Sequence, residues 1–261
     1  AGIIALVKHM KEIGETHRLK QVWFNFPKKE ETDEYSVGEG NELTSLLLEI
    51  DGLSWNNNTS ELLGSTIEYG DIKLHVLAPA HDVAYENKPK EPDELGVRSD
   101  DWYIDLRTLI DNVDDDDIDE GGTNSQSIII LAECEGKKLL LPGDSTPKKL
   151  CDALQSYNKT NGTPLELDFM KLPHHGSTRN VTKNILNEVT CSNFIISTKK
   201  NNKYYFPNKE TIAKLIRYRD SADKAINVYF NYQESLDVLG ITAEELTENN
   251  INLNVCNEFN F

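Results

Sequence analysis

Two apolar runs in this 261-residue chain each stop at a side chain that can hold a metal ion or move a proton. Leu139-Leu-Leu-Pro-Gly-Asp144 delivers a carboxylate, and Phe169-Met-Lys-Leu-Pro-His-His-Gly-Ser177 delivers two imidazoles. Open α/β folds gather their chemistry at the carboxyl ends of strands. A carboxylate and an imidazole placed there form part of the donor set of a divalent cation. Asp144 also has a structural reading, because Asp before Ser145-Thr146-Pro147 is a good helix-capping signal. Adjacent histidines on an extended segment point opposite ways. At most one of His174 and His175 is therefore expected to face Asp144, while the other packs or orients its neighbour. Gly176-Ser177-Thr178 is expected to open the next helix, whose first amides could hold an anion.

The remaining candidates are weaker. His9 lies on a helix, His17 in a polar turn, and His75 in a strand, facing core or water. His81 lies in a loop after Pro79 that could approach the site. Lys199, Lys200 and Lys203 form a local basic group that suits either a phosphate or a solvated loop. The cysteines, Cys134, Cys151, Cys191 and Cys256, are widely spaced without a CxxC pair. That is the pattern of reduced thiols in a cytoplasm.

Net charge is −17, from 27 basic and 44 acidic residues. A global basic surface that would displace phosphate counterions is lacking, which disfavours nucleic acid as a partner without removing it. Much of the acid lies in Asp111–Glu120, around Asp114-Asp-Asp-Asp117, and reads as a solvated loop. Consecutive aspartates lack the alternation and central glycine of a calcium loop. No apolar run reaches the roughly 18 residues of a membrane span. Ala1–Val7 is apolar but lacks a basic leader region, so it reads as a helix face and not a signal peptide.

These residues need elements to position them. Periodicity predicts helices over 2–13 and 41–50, a strand over 22–26, a charged loop over 27–39 and a strand over 71–77. Residues 80–122 read as a long acidic insert with local structure near Trp102–Ile110. A hairpin follows, from Ser127–Cys134 and Lys137–Leu141, turning at Glu135-Gly136. Helices over 147–156, 181–189 and 208–217 then alternate with strands over 168–172, 193–197 and 225–232. A short helix near 243–246 and a strand over 251–255 close the chain. Hairpins mixed with βα units indicate a layered α/β sandwich, taken as one domain over 1–261.

The order and spacing of several segments resemble the metallo-β-lactamase-fold hydrolases. They are Leu74–Pro79, Asn124–Leu131, Lys138–Asp144, Phe169–Ser177, Phe194–Thr198 and Phe206-Pro207. The likeness covers most of residues 1–232, and the branch it resembles contains the hydrolase domain of the ComEC DNA-uptake protein. It implies a four-layer αββα sandwich and two divalent metal ions, zinc or manganese. Asp144 would bridge the two metals. His174 would ligate the second, with His175 as the less favoured choice. Asn124 and Ser127 would stand where other branches supply a further histidine, and Ser177 and Thr178 would line the substrate side.

The chain departs from that pattern in three ways. The family's first strands and its HxHxDH motif are absent, and Ala1–Val7 looks like the helix that follows that motif. The native protein is therefore expected to extend upstream. Phe206-Pro207 stands where the branch often has His-Pro, and the surface is acidic. The expected function is a metal-dependent hydrolase acting on phosphodiesters, as a nuclease or phosphodiesterase, through Asp144 and His174. The alternatives are a small-molecule ester or lactone hydrolase of the same fold and a catalytically inactive partner-binding subunit that uses the acidic insert. The expected location is cytoplasmic, without membrane association.

Overall fold

The computed structural model describes residues 2–25, 35–56, 59–79, 100–121, 124–162, 164–202 and 204–259. Most of the expected charged loop, the first half of the acidic insert, His81 and Lys203 lie outside the described residues. The chain divides into two compact units, one comprising residues 1–62 and 80–89 and the other residues 63–79 and 90–261. Among the described residues, no helix is long and apolar enough to cross a membrane.

In the first unit, α1 (Gly2–Glu12) and α2 (Tyr35–Leu48) pack against each other. Ile4 and Val7 recur at helical spacing and meet Leu43, Leu47 and Ile50 in a small apolar cluster. The parallel pair β1 (Gln21–Trp23) and β2 (Ser54–Asn56) adds Phe24 and Trp55, stacked at 6.3 Å. The start of α2 at Tyr35 corrects the expected one at residue 41.

The second unit is built on an eight-stranded mixed sheet. Its strands are β3 (Thr66–Tyr69), β4 (Ile72–Ala78), β5 (Ile129–Cys134), β6 (Lys137–Leu141), β8 (Phe169–Lys171), β10 (Asn193–Ile196), β11 (Ile226–Phe230) and β12 (Ile251–Val255). In space the order is β12-β11-β10-β8-β6-β5-β4-β3. Strands β3 to β6 pair antiparallel, whereas β6, β8, β10, β11 and β12 pair parallel. Strand β6 is therefore the member at which the sheet changes sense. The pair β3–β4 extends the sheet by a strand that periodicity did not show. A two-stranded parallel pair, β7 (Leu165–Glu166) and β9 (Val189–Thr190), stands apart from this sheet.

Alternate residues of the sheet are buried: Ile129, Leu131, Leu140, Met170, Phe194, Ile196, Val228 and Phe230. They join one core with α3 (Leu106–Asp111), α4 (Pro147–Asn161), α5 (Lys183–Asn187) and α6 (Lys209–Tyr218). Proline at the first turn of α4 suits a position with no helical acceptor. Two short helices, α7 (Gln233–Asp237) and α8 (Ala243–Glu248), lead into β12. Thr242 and Glu245 form a reciprocal capping box on α8, and Glu245 also accepts from the Leu106 amide at 2.9 Å.

Helix α6 is buried along Lys209–Ile216, polar residues included. A buried cation needs acceptors, and each lysine finds backbone carbonyls. Lys209 donates to Trp102 and Ile104 at 2.9 and 2.7 Å. Lys214 donates to Thr178 and Val181 at 2.9 and 3.1 Å and lies 2.9 Å from the Asp115 carboxylate. The contact to Asp115 is an ion pair, not a well-directed hydrogen bond. Tyr218 lies beside the same carboxylate, and burial together with Asp115 pushes its phenol up to about 12.

The acidic run is thus not the solvated loop expected of it. Asp115 pairs with Lys214 and Asp117 with Arg179, the latter at 2.9 Å. The Asp114 amide donates to Glu210 at 3.0 Å. Asp115→Asn leaves the Lys214 ammonium buried without its counter-charge. It is expected to cost about 3 kcal/mol in urea unfolding, the scale for breaking a buried pair. A loss under about 0.5 kcal/mol would make the contact an ordinary surface pair.

Candidate functional site

Strands β6 and β8 are parallel neighbours, so their carboxyl ends lie side by side. After Leu141 the chain turns at Gly143, where φ is +62° and an added Cβ would stand 3.2 Å from the Ser127 Cβ. Only glycine tolerates both conditions. The turn presents Asp144, whose amide donates to the Ser127 hydroxyl at 3.2 Å. Thr146, not Asp144, stands at the N-cap of α4, so the capping reading of Asp144 falls. The Asp144 carboxylate is half-buried and makes no side-chain hydrogen bond to any described residue.

After β8, Pro173 leads into a short 3-10 turn, His174–Gly176. All three of its residues have left-handed backbones, with φ of +43°, +61° and +79°. This corrects the extended segment expected here. Both rings turn towards Phe206, at 5.3 Å from His174 and 6.2 Å from His175. The expected helix start at Gly176 is a second 3-10 turn, Thr178–Asn180, and α5 begins only at Lys183. That leaves no helix N-terminus to hold an anion at Ser177.

Non-glycine residues in left-handed conformation cost on the order of 1–3 kcal/mol each and persist only under strong external constraint. The constraints here are explicit. The His174 amide donates to Gly143 O at 3.2 Å, tying the two strand ends together. The Thr211 hydroxyl of α6 donates to Gly176 O at 2.7 Å. His175 Nδ1 bonds Ser197 O at 2.8 Å, which fixes that ring on the end of β10.

His174 is held by three polar side chains. Its Nδ1 lies 3.1 Å from Asn180 Oδ1, 3.5 Å from Asp119 Oδ2 and 3.5 Å from Asn124 Nδ2. Asp119 is buried and in turn accepts from Asn124 Nδ2 at 2.7 Å, Asn180 Nδ2 at 2.9 Å and the Gly121 amide at 2.8 Å. Asn180 also donates to Ser145 O at 3.1 Å. Nδ1 is thus engaged from the protein side, while Nε2 has no partner among the described residues.

Burial opposes charge on both groups, and the hydrogen bonds outweigh it. On Asp119, bonds from His174, Asn180, Asn124 and the Gly121 amide hold the carboxyl well below the usual carboxylate range. On His174, burial pushes the imidazole down, but the Asp119 bond and the charges of Asp144 and Asp119 raise it overall. Lys171 lies under the same turn and donates to Gly143 O at 3.2 Å and Leu172 O at 3.1 Å. Burial lowers its pKa, and the Asp144 charge partly restores it.

The structure therefore brings together Asp144, His174, Asn124 and Ser127. It turns His175 to Ser197. Ser177 and Thr178 lie inside the fold, 4% and 1% exposed, with the Thr178 amide bonded to Asn208 Oδ1 at 2.9 Å. His75 is remote in role: it bonds Thr66 Oγ1 at 2.8 Å and pairs with Glu133 at 3.4 Å across the antiparallel strands. Sequence reasoning missed Asp119, Asn180 and Lys171. Asp119 was hidden in an acidic run just after Asp114–Asp117.

Among the described residues, no group of three or more His, Cys, Asp or Glu side chains is arranged to hold a metal ion. Asp144 and His174 Nε2 match part of a metal donor set and do not complete one. The Asp119–His174 contact has the form of a carboxylate that orients a ligating histidine.

No family model matches the chain. Over 120 residues, 44% of its length, the chain is 28% identical to Recombination protein 2 of Haemophilus influenzae. The matched stretch spans 14% of that protein.

Two outcomes follow for this site. The raised His174 value means that protonation favours the folded chain. Its contribution is present in full below the ordinary histidine value near ~6.5 and is lost as pH rises through the folded value. In metal-free protein, NMR should show the His174 ring titrating above that ordinary value, with a lower midpoint in Asp119→Asn. An unchanged midpoint would remove Asp119 as the cause. Gly176→Ala places a Cβ 3.3 Å from three Ile196 carbons at a φ of +79°. It should lower stability by roughly 2–4 kcal/mol, from left-handed strain plus overpacking, measured by thermal or urea unfolding.

Proposed function

We propose that this chain carries part of the active centre of a metal-dependent hydrolase of the metallo-β-lactamase fold, acting on phosphodiesters. The observation that carries the reading is the joining of Asp144 and His174 at the ends of adjacent parallel strands, with Asp119 fixing His174 from behind. Held by Nδ1, the ring keeps Nε2 for a ligand. Asp144 supplies the neighbouring carboxylate. Asn124 and Asn180 keep Asp119 ionised and in place. The mixed sheet and its helices are compatible with an α/β sandwich, and the four-layer αββα arrangement is part of the proposal.

A divalent zinc or manganese ion, when bound, would supply Lewis acidity and a more acidic water. The described residues offer it Asp144 and His174 alone, so its other ligands lie beyond them. The chain's own residues orient the imidazole, present the carboxylate and bury the Asp119 charge behind them.

Equilibrium dialysis of the full-length protein against zinc or manganese, with turnover of a bis-aryl phosphodiester and of an aryl ester, tests this reading. Metal should be retained by the wild type and lost in Asp144→Ala. Asp119→Asn, which removes only the orienting charge, should weaken retention by roughly 10–100-fold. Robust ester turnover without phosphodiester turnover would favour the ester or lactone reading. No metal retained at any loading would overturn the enzyme and leave the partner-binding subunit.

A further inference from the structure

The loop after β10 carries lysines followed by three successive aromatics, Tyr204, Tyr205 and Phe206, of which only Phe206 enters the site described so far. Phe206 faces His174 edge-on at 5.3 Å, and Tyr204 lies beside Phe206 at 5.9 Å with the rings 27° from parallel. Tyr205, between them, turns the other way and meets Trp102 at 5.6 Å. Its φ of +54° is the left-handed backbone that allows this reversal. Trp102 is itself fixed, because its indole N–H donates to Pro207 O at 2.8 Å. Lys200 places its ammonium 5.3 Å from the centre of the Trp102 ring.

The loop is thus anchored by its inward aromatic and shows the other two to the histidine side. A purely structural role would explain Tyr205, which packs inward. Tyr204 is 38% exposed and lies along the ring that meets His174 edge-on. Aromatic faces are a common means of holding unpaired bases, since every base has a π-face to stack.

We propose that Tyr204 and Phe206 form a shelf that stacks the base of a nucleotide, or of the end of a single nucleic-acid strand, so that the adjoining phosphodiester reaches His174. This deepens the phosphodiester reading above and rests on it. The charge pattern supports a short, single-stranded ligand. The net charge of −17 opposes a long duplex. Close to the site, however, the carboxylates of Asp115, Asp117 and Asp119 are each engaged by Lys214, Arg179 and His174. A phosphate approaching there meets these three carboxylates already paired, with Asp144 the neighbouring carboxylate it must still contend with.

The test is equilibrium binding by fluorescence anisotropy, in EDTA. It compares a labelled short oligothymidylate with an abasic strand of the same length. Stacking predicts that the wild type prefers the base-containing strand by roughly tenfold, the scale of one stacked base. Tyr204→Ala, at an exposed position, should reduce that preference, Phe206→Ala should abolish it, and Phe206→Tyr should keep it. Equal affinity for the two strands in the wild type would overturn the proposal. So would no measurable binding of either strand, or a preference that survives in both alanine variants. Because the readout needs neither metal nor turnover, failure of the hydrolase reading leaves this result interpretable, and the reverse also holds.

Discussion

A helix buried on nearly every side must satisfy whatever polar groups it carries, and α6 carries two lysines, a glutamate and two threonine or asparagine groups at its start. An ammonium ion cannot remain in an apolar core without acceptors. Those acceptors are the carbonyls of Trp102, Ile104, Thr178 and Val181, none of them in a strand or an α-helix. The same helix donates its Glu210 amide to Asp101 at 2.7 Å, and burial raises the carboxyl pKa there. Two loops with few ladder bonds of their own are tied in this way to one rigid post. The acidic stretch and the histidine turn meet because both are fastened to α6.

That fastening explains how the His174 turn can hold three left-handed residues in succession. Strain of this kind survives only where neighbouring structure overdetermines it. Here the end of β6 and the end of β10 each contribute one hydrogen bond to the turn, and the start of α6 contributes two, from Asn208 and Thr211. The turn places His174 against Asp119 and His175 against a carbonyl. Two adjacent, chemically identical residues thereby acquire different surroundings, one held by Asn180 and Asp119 and the other bonded to a carbonyl.

Much of the second unit was legible in the chain. Alternation identified β4, and the Glu135-Gly136 turn placed the hairpin of β5 and β6. Pro147 announced α4 and Asn208 announced α6. The helix expected over 181–189 is instead a five-residue helix followed by strand β9, because Val189 and Thr190 pair with Leu165 and Glu166. Such a pairing depends on a partner more than twenty residues away, which local periodicity does not report. Asp144 and His174 were found because each ends an apolar run. Asp119 and Asn180 were not, since an aspartate among aspartates and an asparagine in a polar turn have no distinguishing neighbours.

By itself, then, the sequence determined the alternation of strands and helices, the strand ends that bear Asp144 and His174, and an acidity that disfavours long polyanions. Tertiary structure decided which histidine is oriented and which is anchored, and it converted an apparently solvated aspartate run into a set of ion pairs. The reason is physical. Periodicity records which face of an element is buried, and that face is written in the element's own residues. A buried charge records its partner only after the chain has folded, because the counter-charges of Asp115 and Asp119 stand 99 and 55 residues away, at Lys214 and His174.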